Sequence, residues 1–201
     1  GGIGSGKTTV RRLFEALGAT TICADEVVHQ LQAPGEPLLD TLAETFGAQF
    51  LQTDGSLDRK ALGDLVFRDA EARARLGAIM HTPVVAEMVR RARVAQEAGA
   101  PLALLDIPLL FEGFRSGTGS AVALDYDALI LVWVPPNIQI DRTVSRDHCS
   151  VAEAERRVAA QMPIDEKRAM ATHVIDNSGS PADTERQVRA LWHLLIAETA
   201  G

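Results

Sequence analysis

The first eight residues, Gly1-Gly2-Ile3-Gly4-Ser5-Gly6-Lys7-Thr8, restrict this chain more than any other feature in it. They match the pattern glycine, any four residues, then Gly-Lys-Thr. Glycines let the backbone curl so that successive N–H groups converge on a phosphate. The lysine of such a loop reaches the β- and γ-phosphates, and the following hydroxyl is placed to ligate Mg²⁺. A helix that starts at the same point aims its positive end at the same anion. Residues 7–17 supply that helix, with Val10, Leu13, Phe14 and Leu17 on one face and Gly18 as its stop. Gly2, Ile3, Gly4, Ser5, Gly6, Lys7, Thr8 and Thr9 are therefore the expected nucleotide contacts, with Lys7 also catalytic and Thr8 on the metal. Such a loop follows a buried strand, so a first strand is expected before residue 1.

The rest of the chain alternates helical and strand-like segments. A short strand is expected at 19–23. From about 26 to 100 the pattern is almost wholly helical, punctuated by Pro34-Gly35-Glu36-Pro37 and Asp54-Gly55. Apolar runs at 102–107 and 128–134 read as buried strands. Residues 137–170 read as a charged helical hairpin, 173–175 as a short strand and 181–198 as a last amphipathic helix. With the opening loop, this order predicts an α/β fold: a parallel-sheet core of the P-loop nucleoside-triphosphate hydrolase type, with a helical insertion and a charged helical hairpin. The core takes residues 1–30, 100–136 and 171–201, the insertion 31–99 and the hairpin 137–170.

Composition bears mainly on partners. A formal net charge of −7 over 201 residues argues against general nucleic-acid binding, which needs clustered Lys and Arg. The apolar runs are too short for a membrane span. Two cysteines, Cys23 and Cys149, make no disulfide scaffold, so a reducing, cytoplasmic setting is expected. Local charge departs from the average. Lys7 to Arg12 holds three cations and no carboxylate, and Arg142 to Arg168 holds six cations against five carboxylates.

Among proteins with such a loop, a GTPase would carry Asn-Lys-x-Asp, which is absent. A motor or transporter ATPase is larger. A small kinase with an inserted substrate region and an arginine-bearing lid fits the length. It needs a base for the acceptor hydroxyl, a carboxylate near Mg²⁺ and cations on the transferred group. Asp25 follows the second strand, Asp106 ends an apolar run, and Arg142, Arg146, Arg157 and Arg168 lie on the charged hairpin. Residue type alone leaves plainer readings open: Asp25 as a helix cap, Asp106 as a strand end, the arginines as a solvated face.

These residues belong to a set that resembles the bacterial dephospho-CoA kinases along nearly the whole chain. The resemblance is carried by GGIGSGKTTV at 1–10, ADEVVHQL at 24–31, DGSLDRKALGDLVF at 54–67, DIPLLFE at 106–112, RTVSRD at 142–147, RVAAQ at 157–161 and VIDNSGS at 174–180. It implies transfer of the γ-phosphoryl of ATP, with Mg²⁺, to the ribose 3′-hydroxyl of dephospho-CoA, the last step of CoA biosynthesis. The alternatives are another P-loop small-molecule or nucleoside monophosphate kinase, or a non-catalytic ATP-binding regulator. It makes Asp25 the base and a substrate contact, Arg142 the lid arginine with Arg146 behind it, and Asn177 a neighbour of the adenine. His81, Asp106 and Pro108 fall on the substrate side, and Asp106 also falls near the metal. It makes the insertion at 31–99 a helical substrate-binding domain and the hairpin at 137–170 a helical lid. The expected assembly is a monomer or small homo-oligomer. The chain departs from the family pattern at Cys23, where an Asp is usual, at His81-Thr82-Pro83 in place of His-Pro, and at Ala171-Thr172-His173 in place of Ala-Asp-Tyr.

Overall fold

The computed structural model describes residues 1–117 and 123–199. The first helix, α1 (Lys7–Ala16), starts from Gly6, whose φ of 87° only glycine adopts freely. It buries Val10 and Phe14, one turn apart. Beyond its end, Gly18 N–H donates to the Glu15 carbonyl at 3.0 Å and Ala19 N–H to Phe14 at 3.0 Å. That pair of bonds is the Schellman stop a glycine at this position permits.

Strand β1 (Thr20–Cys23) lies beside β2 (Ala103–Asp106), with Thr20 N–H donating to the Leu102 carbonyl at 2.9 Å. Between them in sequence come α2 (Ala24–Leu31), α3 (Pro37–Phe46), a 3-10 turn at Ala48–Phe50, α4 (Arg59–Arg68) and α5 (Ala70–Glu97). Pro37 opens α3 at a position where its missing N–H costs nothing. Asp58 caps α4 by accepting from Ala61 N–H at 2.9 Å. Asp69 does the same for α5, accepting from Ala72 N–H at 3.0 Å. Leu38, Leu39, Leu42, Leu57 and Leu62 form the core of this stretch.

After β2 come α6 (Leu110–Ser116), β3 (Ile130–Trp133), α7 (Pro136–Asp147), α8 (Val151–Ala159), α9 (Ile164–Met170), β4 (His173–Asp176) and α10 (Pro181–Thr199). Strands β3 and β4 are parallel, with Ile130 opposite His173 and Trp133 opposite Asp176. The chain separates into one unit of Gly1–Thr21 with Ala95–Gly201 and another of Ile22–Val94. In the first unit Val10 and Phe14 of α1 pack with Val188, Leu191 and Leu195 of α10 and with Val132 and Ile175 of the β3–β4 pair. A second cluster joins Phe111, Leu131, Met162 and Ile164.

The fold is thus a mostly helical α/β arrangement with small sheets. The described strands form two pairs, each strand four residues long, where the sequence led us to expect one continuous sheet. The charged region expected as a hairpin holds three helices, because Pro163 breaks it again before α9.

Candidate active site

The nucleotide loop owes its shape to contacts from far along the chain. Gly4 and Gly6 both have positive φ, 71° and 87°. A Cβ on Gly4 would collide with the Gln139 carbonyl, and one on Gly6 with the Asn177 side-chain amide. Neither site admits a larger residue without moving the loop. Asn177, which is buried, donates from Nδ2 to the Ser5 carbonyl at 2.8 Å and accepts at Oδ1 from the Thr184 hydroxyl at 2.9 Å. Ile3 is held at both ends of its backbone. Its N–H donates to Gln161 Oε1 at 2.8 Å, and its carbonyl accepts from Gln139 Nε2 at 2.7 Å.

Helix α7 lies along this loop. Gln139, Arg142 and Thr143 share its inner face, as i, i+3 and i+4 positions do. Arg142 donates from Nη2 to the Asn177 carbonyl at 2.9 Å, and its Nη1 stands 3.7 Å from where a Cβ on Gly6 would be. Arg142 is therefore brought to the loop. Arg146, one turn further, is turned away to Asp147, which it meets from Nε at 2.6 Å. Asp147 also takes Arg157 Nη1 at 2.7 Å.

Lys7 and Asp106 line one cleft with Glu112 and Lys167. Asp106 Oδ2 stands 3.7 Å from Arg11 Nη1. Thr8 and Thr9 are exposed in the first turn of α1. Ile107 and Leu109 face the cleft, and Pro108 between them is exposed. Leu109 has φ 56°, a strained setting for a branched side chain. Lys167 is 2% exposed, and its Nζ meets Glu112 Oε1 at 2.6 Å. The same oxygen accepts from Met162 N–H at 3.0 Å. Burial pushes the Glu112 carboxyl up, but the Lys167 ammonium and the Met162 amide outweigh it and hold the group below its ordinary range. In the Ile22–Val94 unit, Asp25 is exposed in the first turn of α2, whose cap is Cys23. His81 lies on α5, and its buried Nε2 has no hydrogen-bond partner among the described residues.

Sequence reasoning missed Gln139, Gln161, Thr184, Glu112 and Lys167. No local signal marked them: Gln139 and Thr143 sit four residues apart on the face of α7 that carries Arg142, and a face of Gln, Arg and Thr reads as solvated until the fold buries it.

The dephospho-CoA kinase family model matches residues 1–183 of the 201-residue chain. The chain belongs to the dephospho-CoA kinase family. The dephospho-CoA kinase of Symbiobacterium thermophilum is 43% identical over all of this chain and 81% of its own length. That of Anaeromyxobacter dehalogenans is 46% identical over 90% of this chain and 82% of its own. Among solved structures, TT1252 from Thermus thermophilus superposes with a TM-score of 0.74 at 34% identity, over 96% of this chain and 94% of that one. The dephospho-CoA kinase from Campylobacter jejuni shares the fold with a TM-score of 0.68 at 24% identity, over 98% and 93%.

Proposed function

We propose that this chain phosphorylates the ribose 3′-hydroxyl of dephospho-CoA from ATP, giving CoA and ADP. Membership of the dephospho-CoA kinase family over residues 1–183 carries this reading. The local geometry supports it: a glycine loop shaped for phosphate, backed by Asn177 and flanked by Arg142. Charge development in such a transfer is spread over the equatorial oxygens, so positioned cations and amides supply most of the acceleration. Lys7 and the loop amides hold the β- and γ-phosphates. Arg142 neutralises charge on the transferred group. Asp25 takes the proton of the acceptor hydroxyl. Arg146 adds charge when it leaves Asp147. Asn177 fixes the loop from behind, beside the adenine.

Thr8 and Asp106 would hold Mg²⁺, and the residues fit it. Among the described residues no three carboxylates or imidazoles gather to cage a metal. A hydroxyl and one carboxylate, completed by phosphate oxygens and water, suit a hard cation that keeps part of its hydration shell. When bound, it supplies charge neutralisation at the phosphates. We assign the insertion at 31–99, with His81, to the substrate's CoA portion, Asp106 and Pro108 to substrate contact, and 137–170 to the lid. Among the described residues no helix is long and apolar enough to cross a membrane; we assign the enzyme to the cytoplasm.

A coupled ADP-release assay tests the reading. ADP is expected with dephospho-CoA and not with shikimate, gluconate or nucleoside monophosphates. Turnover with a nucleoside monophosphate alone, or with none of them, overturns it.

A further inference from the structure

Ile3 is a loop residue whose backbone is gripped from both sides by side chains 136 and 158 positions away. The Ile3 N–H belongs to the Gly2–Ile3 peptide and its carbonyl to the Ile3–Gly4 peptide, so each of two consecutive peptide planes is held by one side chain, and with them the backbone at Gly2 and Gly4. The two gripping residues are of one type but play opposite parts. Gln139 acts as a donor and Gln161 as an acceptor. Gln139 is 3% exposed, and its own carbonyl accepts from the Thr143 hydroxyl at 2.7 Å. Gly2 and Gly4 both pack on Gln139 closely enough that a Cβ at either would collide with it. One turn further along α7 is Arg142, beside Gly6. A helix is stiff over one turn, so the grip at Ile3 sets where Arg142 stands relative to the loop. Gln161 follows the end of α8 and ties that segment to the preceding peptide, through the Ile3 N–H.

We propose that Gln139 and Gln161 are positioning residues for the phosphoryl transfer: together they fasten the two peptide planes that meet at Ile3, so that the nucleotide loop and Arg142 move as one body. This rests on the reading of the loop as the ATP site. The roles follow from the bonding. A glutamate at 161 still accepts from the Ile3 amide. A glutamate at 139 loses the donor and sets two acceptors against each other. Leucine removes the bond at either position.

The experiment compares Gln139→Glu, Gln139→Leu, Gln161→Glu and Gln161→Leu in kcat, KM for ATP and thermal midpoint, using the full chain, ATP·Mg²⁺ and dephospho-CoA. Gln161→Glu should stay within about threefold of wild type. Gln139→Glu should lose about 10- to 100-fold in kcat/KM, the worth of a hydrogen bond left unmade. Because Gln139 acts through Arg142, the kcat loss of Gln139→Leu should shrink several-fold in an Arg142→Ala background. Variants that lower only the thermal midpoint, or effects that multiply independently with Arg142→Ala, overturn the proposal. Should the Gln139 variants fail to fold, amide exchange at Ile3 in the unaltered, nucleotide-free chain decides. Slow exchange supports the clamp, and exchange as fast as at an exposed turn overturns it. A wild-type chain that makes no ADP defeats the reading of function. An active wild type with unaffected variants defeats the glutamine proposal alone.

Discussion

The side-chain amide of Asn177 donates to the Ser5 carbonyl at 2.8 Å, joining the turn after the last strand to the nucleotide loop across 172 residues of sequence. Its other end is occupied by Thr184, so the amide has one permitted orientation. The loop's shape is therefore set by tertiary contact, and the loop motif itself specifies only that the shape can be reached.

Asn177→Asp should separate the two halves of that bond. The carboxylate still accepts from Thr184 but opposes the Ser5 carbonyl. The expected cost is about 1–3 kcal/mol for a buried group left without its partner. Thr184→Val removes a single neutral bond and should cost roughly 1 kcal/mol. Urea unfolding checks both, with the midpoint falling and the slope unchanged. A variant at 177 as stable as wild type would contradict the role given to this amide.

Two glycines with nearly equal φ allow strain to be told from collision. Gly6 (φ 87°) faces Asn177, whereas Gly55 (φ 81°) has nothing within 4 Å of a Cβ. Gly55→Ala should cost only the left-handed strain, about 1–2 kcal/mol of stability, with kcat and KM unchanged. Gly6→Ala adds the clash and should weaken ATP binding at least tenfold, or roughly 1.4 kcal/mol. Calorimetric ATP titration and unfolding of the two proteins side by side give the comparison.

What the sequence made legible follows the range of the interactions. The loop and α1 are local, and seventeen residues state both. The two strand pairs were legible as apolar runs but not in register, because four-residue strands give too little pattern to fix a pairing. Gln139 looked like an ordinary polar position on a charged helix, and Gln161 closed the RVAAQ segment with no partner assigned to it. Only folding brings them to Ile3. Lys167 was only one of the six cations between Arg142 and Arg168, yet it is 2% exposed because Glu112, 55 residues earlier, accompanies it inward. Arg146 shows the opposite case. Its place in the RTVSRD segment suggested the loop, and the adjacent Asp147 holds it elsewhere.

The Glu112–Lys167 pair should break asymmetrically. Glu112→Gln leaves an ammonium buried without its carboxylate, a loss of about 3–5 kcal/mol. Lys167→Met leaves a carboxylate that is 21% exposed and still takes the Met162 amide, so it should cost less. Urea midpoints of the two variants give the order. The reverse order would mean that the carboxylate is the more dependent partner.

Acid should unfold the protein through carboxylates held low. Glu87 is brought from 4.5 to about 2 by its hydrogen bonds with Arg90 and Arg91. Glu112 is also depressed. A depressed folded-state value means that the unfolded chain binds the proton more readily. The stabilisation is then complete above about pH 4.5 and fades as the pH falls towards 2. Glu87→Gln should lower the stability at neutral pH and flatten the loss in that window, because the contribution it removes is the one that fades there. Chemical unfolding at a series of pH values reads it directly.

Arg142 and Asp25 make the sharpest kinetic predictions, because they are assigned different parts of one step. Arg142 stands beside Gly6 and is assigned to charge that develops during transfer. Arg142→Ala should lower kcat on the order of 10³-fold, as removal of finger-like arginines does. Its KM for ATP should change little. A change confined to KM would instead assign Arg142 to ground-state binding. Asp25 is exposed in the first turn of α2, free to meet a hydroxyl brought to it. Asp25→Asn keeps the shape and removes the proton acceptor, so kcat should fall by about 10²–10⁴ with ATP affinity unchanged. An Asp25→Asn enzyme with near-normal kcat would remove Asp25 from the role of base.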